Sequence, residues 1–221
     1  MTTNKNKYNR SKELSRKLND FISKLNLESE NNFETLNQDQ LIELKIALSD
    51  INNVLTLKTT IAFGNWLSDF FKFQKDEKEH LIKIINQTKP NTNGYDVEID
   101  NNYKIIAEIK CIIPINNGDK YGAAQRNAIL DDAIKLERGK RVISNTSEFI
   151  KIIGLIDLGE KTDNAINKLI TPAKNIRTKQ QIRIERHEIV KKLKVINSHT
   201  KSQNLNPEYI YLKKVKIKAS R

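Results

Sequence analysis

The sequence predicts an α/β chain, a helical N-terminal region followed by a part built on β-strands, and three observations carry that reading. Apolar residues recur at helical spacing as far as about residue 87. The segment TKPNTNG, with Pro90 and Gly94, interrupts the pattern, and beyond it the apolar period shortens from that of a helix to that of a strand. Finally, a helical stretch at 123–138 separates strand-like residues from an isoleucine-rich run at 148–158, the order of a βαβ crossover. A chain of 221 residues can bury a core without disulfides or structural metals. We divide it at the Pro90 segment into a helical region, 1–90, and a second part, 91–221.

Within the first region, Leu14, Leu18, Phe21, Ile22 and Leu25 form one face of an amphipathic helix, and Asn26 to Asn32 break it. A second helix is expected from Gln38 to about Asn52, carried by Leu41, Leu44, Ile46, Leu48 and Ile51. A third follows from about Leu55 to Phe73, whose stripe of Ile61, Phe63, Trp66, Leu67, Phe70 and Phe71 reads as core packing. Asp76 to Gln87 adds further helical turns. After the junction, Tyr95, Val97 and Ile99 alternate with Asp96, Glu98 and Asp100. In the same way Ile105, Ala107, Ile109 and Cys111 alternate with Ile106, Glu108 and Lys110, so the two runs form a hairpin. Ala123 to Arg138 is a helix that Gly139 ends, and Glu148 to Leu158 a strand buried on both faces. A short helix near Asn164 to Ile170, a basic helical stretch near Arg177 to Leu193 and a last strand at Glu208 to Ile217 complete the chain.

The formal net charge is +12, so the molecule attracts polyanions, of which nucleic acid is the commonest. A single cysteine, Cys111, excludes an internal disulfide and a cysteine-held zinc and suits a reducing compartment, the cytoplasm. No apolar run approaches the roughly 18 residues of a membrane span, and the N-terminus lacks the apolar core of a signal peptide. His80, His187 and His199 have no zinc-site spacing. The stretch Gly118 to Gly122 lacks the ending of a phosphate loop, so no nucleotide cofactor is expected.

The chemistry concentrates in GYDVEIDNNYKIIAEIKC. Glu108 and Lys110 share one strand face. Aligning Val97 and Ile99 with Ile105 and Ala107 on the buried face sets Asp96 opposite Glu108 and requires a three-residue or bulged turn rather than a strict two-residue Asn101-Asn102 loop. Two adjacent carboxylates demand a cation, and an all-oxygen set suits Mg²⁺, which keeps several waters and binds a substrate phosphate. Asp96 and Glu108 are the expected ligands, joined by the carbonyl of Ile109. Lys110 is placed to orient or help deprotonate an attacking water and to offset charge on the transition state. Glu98 could assist as a further ligand, while Asp100 lies too close to the turn.

An Asp followed about ten residues later by Glu-x-Lys on the second strand of a hairpin resembles the catalytic signature of the PD-(D/E)XK nuclease superfamily. Gly94-Tyr95 stands where a Pro would precede the Asp. The resemblance implies a restriction-endonuclease-like core, a mixed sheet flanked by helices, containing one more strand beside the hairpin. It also implies that Asp96 and Glu108 bind the metal and that Lys110 acts on the nucleophilic water. The expected activity is that of a type II restriction endonuclease: Mg²⁺-dependent, sequence-specific hydrolysis of double-stranded DNA by a homodimer whose twofold axis matches a palindromic target. The alternatives are another enzyme of the superfamily, a junction resolvase or repair endonuclease, and a non-enzymatic basic nucleic-acid-binding protein.

Further candidates surround this centre. Asp69 and Glu79, on the helices ahead of the hairpin, could supply an auxiliary carboxylate, and Gln125 lies on the crossover helix where some members of the superfamily carry a glutamine. Lys120, Gln125, Arg126, Arg177, Lys179, Arg183 and Arg186 are the candidate DNA contacts. The N-terminal helices offer a dimer surface or DNA contacts.

Overall fold

The structure is a computed structural model that describes residues 9–14, 16, 37–89, 93–115, 118–140, 143–171 and 180–217. Its principal elements are α1 (Gln38–Phe70), α2 (Lys75–Gln87), β1 (Val97–Ile99), β2 (Ile105–Lys110), α3 (Ala123–Arg138), β3 (Ile150–Ile156), α4 (Glu160–Ile170), α5 (Gln181–Lys192), β4 (Leu193–Val195) and β5 (Ile210–Val215). Of the first expected helix, only residues 9–14 and 16 are among these; the rest of its apolar face, Leu18 to Leu25, lies outside the described residues.

The strands form one mixed sheet in the order β1-β2-β3-β5-β4. β1 runs antiparallel to β2, and every other neighbouring pair is parallel. β2, α3 and β3 make the expected crossover. The hairpin register is the one that burial selects: Val97 faces Ala107 and Ile99 faces Ile105. Five residues, Asp100 to Lys104, connect the strands, where a shorter turn was expected. An odd number of connecting residues preserves the parity that the buried face demands. Asn101 closes the turn by accepting the Tyr103 N–H at 3.0 Å, and Lys104 completes it with φ 46°.

Two further expectations are corrected. The helices anticipated at Gln38–Asn52 and Leu55–Phe73 are one continuous helix of 33 residues. The Asn52-Asn53-Val54 junction lowers helix propensity by only tenths of a kcal/mol per residue (roughly 0.5 each relative to Ala) and contains no Gly or Pro, so nothing there ends the helix. Asn37 caps its start by accepting the Gln40 N–H at 3.0 Å. The strand that the resemblance adds beside the hairpin is also absent from the described residues between β2 and α3. The chain from Cys111 to Gly122 contributes only an isolated bridge, Ile115 to Lys120, and β1 is the sheet edge. A short edge strand that the sequence reading did not name, β4, continues directly from α5.

Helices cover both faces. On one, Ile106, Ile153 and Leu155 pack with Ile129 and Leu130 of α3, Ile166 of α4 and Val190 of α5. On the other, Val97, Ile105, Ala107 and Ile152 pack with Leu57, Phe63 and Leu67 of α1 and Leu81 and Ile85 of α2. Fully burying a side chain such as Phe63 or Leu67 stabilises the fold by about 1.5–3 kcal/mol. The sheet lets α1 approach because position 154 is glycine: a Cβ there would stand 2.5 Å from Ile109 Cδ1 and 3.2 Å from Phe63 Cδ2. Towards its N-terminus, α1 exposes Leu41, Ile42, Ile46 and Leu48. Among the described residues no helix is long and apolar enough to cross a membrane.

Candidate active site

The hairpin brings Asp96 and Glu108 together at the end of the β1–β2 ladder. Val97 is the last paired residue of β1 on this side, and the Asp96 carboxylate takes the place of the next pair, its Oδ2 accepting the Ile109 N–H at 2.7 Å. N–H and C=O of one strand residue leave on the same side, so the Ile109 carbonyl also points to the edge where β1 has ended. Glu108 is only 8% exposed. Burial and then the negative charge of Asp96 push its carboxyl up to about 7, against the opposing pull of Lys140. Asp96, Glu108, Ile109, Lys110 and Lys140 line a cleft of about 300 Å³, closed on other sides by Thr56 and Thr60 of α1 and by Thr88 and Lys89 after α2.

Lys110 stands on the same strand face as Glu108, and its ammonium pairs with Asp132 of α3 at 2.6 Å. Asp132 is buried and also bonds Lys135 at 3.0 Å. The group that meets Glu108 is instead Lys140, which sequence reasoning missed. Its Nζ donates to Glu108 Oε1, donates to the Gly94 carbonyl at 2.7 Å, and lies 4.7 Å from the centre of the Tyr95 ring. Lys140 follows the end of α3, which Gly139 stops with φ 88°. No local pattern marks it, since the contact joins residues 32 apart. Asp132 did carry a signal: an acid three residues after Ile129 on the apolar stripe of α3 must be buried, and a buried acid requires a partner.

The remaining candidates lie elsewhere. Glu98 shares the strand face of Glu108, and burial, then the charge of Asp100, raise its carboxyl. Asp100 pairs with Lys104 across the turn at 2.5 Å. Asp69 pairs with Lys78 at 2.8 Å and Glu79 with Lys75 at 3.9 Å, both on the helix surface and away from the cleft. Gln125 folds back on its own helix start, accepting the Gly122 N–H at 2.9 Å and donating to the Ile113 carbonyl at 2.9 Å. Arg126 is half-buried, Lys120 and Arg183 are exposed, and Arg186 holds Asp131 of α3 by two bonds of 2.7 Å. Arg177 and Lys179 lie outside the described residues.

The arrangement fits a hard divalent cation in one respect: two carboxylates and a strand-edge carbonyl offer only oxygen, and Mg²⁺ completes such a partial set with water and substrate oxygens. The raised carboxyl of Glu108 marks a place where negative charge is under-compensated. Among the described residues no group of three or more His, Cys, Asp and Glu is gathered to hold a metal. Searches of protein families, of curated proteins and of solved structures find no match to this chain.

Proposed function

We propose that this protein is a Mg²⁺-dependent nuclease that cuts double-stranded DNA at specific sequences, in the manner of a type II restriction endonuclease. The observation that carries the reading is the convergence of Asp96 and Glu108 beside the Ile109 backbone, with Lys110 on the same strand face, in one cleft of a basic protein. Asp96, Glu108 and the Ile109 carbonyl hold the cation. When bound, Mg²⁺ supplies charge neutralisation at the phosphate and a more acidic water. Lys110 directs the attacking water and offsets charge on the pentavalent phosphorus, and Asp132 keeps its ammonium in place. Lys140 balances Glu108. The reading includes the cytoplasm as compartment and a homodimer, because a twofold pair of sites can cut both strands of a palindrome.

The test is digestion of a defined plasmid by wild type, Asp96→Asn and Lys110→Ala, with Mg²⁺ and with EDTA, followed by sequencing of the fragment ends. Discrete fragments from wild type alone, lost in EDTA, support the reading and reveal the target. An intact plasmid in both Mg²⁺ and Mn²⁺ refutes restriction of plain DNA, and cleavage of branched duplexes alone assigns the site to a resolvase. One observation favours a second reading, nucleic-acid binding without scission: the two ammonium groups nearest the carboxylates are already paired, Lys110 with Asp132 and Lys140 with Glu108. That reading predicts salt-dependent DNA binding and no cleavage under any divalent cation.

A further inference from the structure

One side chain lining the cleft comes from the N-terminal segment, far in sequence from the hairpin. Arg10 lies on the helical turn that Asn9 caps by accepting the Lys12 N–H at 2.9 Å. It is 9% exposed, and its Nε is buried without a hydrogen-bond partner. No described carboxylate pairs with its guanidinium. A guanidinium stays charged at any physiological pH, and burying one uncompensated costs several kcal/mol in general (roughly 3–5 when a partner is removed), so such a group signals a missing anion. The carboxylates of the same cleft do not serve: Asp96 is turned to the Ile109 N–H and Glu108 to Lys140.

The neighbours of Arg10 point to the kind of anion. Asn9, Ser11 and Lys12 face an adjoining groove of about 790 Å³ whose wall on α2 carries Lys83 and Asn86, together with Lys75 and Lys78, which pair with Glu79 and Asp69. One helical turn thus fronts both the cleft and a basic groove beside it, as a contact to a chain of linked phosphates would require. The planar fork of Arg matches two oxygens of one phosphate.

We infer that Arg10 binds the backbone phosphate that enters the cleft, with Lys12 and Lys83 meeting the phosphates that follow along the groove. The inference rests on the nuclease reading and names the part of the protein that grips its substrate. The experiment is fluorescence anisotropy of a labelled duplex DNA with wild type, Arg10→Met and Arg10→Lys, in EDTA across a salt series, alongside thermal melting and plasmid cleavage in Mg²⁺. Arg10→Met should bind about 10-fold or more weakly, with the slope of log affinity against log salt smaller by about one, at an unchanged or higher melting temperature. Arg10→Lys should recover part of the affinity. Unchanged binding by Arg10→Met beside a wild type that binds and cleaves overturns the inference and leaves the nuclease reading standing. A melting temperature that falls while binding is retained assigns Arg10 to the fold and overturns it as well. A wild type that neither binds nor cleaves removes both.

Discussion

Glu108→Gln should make this protein more stable while destroying the proposed activity. The substitution keeps the shape of the side chain and an oxygen for Lys140 Nζ but removes the ionisable group. In the fold that group is unfavourably placed, its carboxyl raised from an ordinary 4.5 to about 7 by burial first and the Asp96 charge second, with Lys140 only partly offsetting them. At 1.36 kcal/mol per pH unit the ionised form is destabilised on the order of 3 kcal/mol. The folded state therefore holds more protons than the unfolded state between pH 4.5 and about 7. Stability falls as pH rises through that window, and the penalty is complete above it. Urea unfolding of wild type and Glu108→Gln, both in EDTA, should show the variant ahead by about 1–3 kcal/mol at pH 8, with the gap closing towards pH 4.5. A variant less stable than wild type at pH 8, or a gap independent of pH, would refute the electrostatic account of the site.

Lys140→Met removes the cation that opposes this penalty, so the pH at which stability is lost should move upward and the loss at pH 8 deepen, read in the same unfolding series. Gly154→Ala should cost about 1–3 kcal/mol, seen as a lower urea midpoint with unchanged slope, because the new methyl meets Ile109 and Phe63. Asp131→Asn breaks the two-bond clasp of Arg186 between α3 and α5. The clasp is partly open to solvent, so the loss should be no more than about 1 kcal/mol at pH 7. Arg186 holds the Asp131 carboxyl below the usual range, so that contribution is present above the unfolded carboxyl value and should vanish on acidification through the folded one, measured as convergence of the two melting curves as the pH is lowered below the ordinary aspartate range.

What could be read from the sequence was whatever one element decides alone. Strand alternation decided the register of the hairpin, because Val97, Ile99, Ile105 and Ala107 must share the buried face, and that placed Asp96 beside Glu108. The length of α1 was less accessible, since Asn52 and Asn53 interrupt the apolar pattern without costing enough propensity to end the helix. The charged network was out of reach because its pairs join distant segments. Lys140 meets Glu108 across 32 residues of chain, from beyond the end of α3, and Arg10 reaches the cleft from the far N-terminus. The same limit affected the basic stretch on α5, where the charge of Arg186 serves a helix contact rather than remaining available to an outside anion.

Gly139 shows how indirectly the charge balance of this cleft is set. At φ 88° it turns the chain sharply off α3, and a Cβ there would press to 2.5 Å from the Ile143 carbonyl oxygen. The next residue is the lysine that neutralises Glu108. A single methyl group at position 139, outside the cleft, would therefore reach a carboxylate on β2 by displacing the lysine that pairs with it.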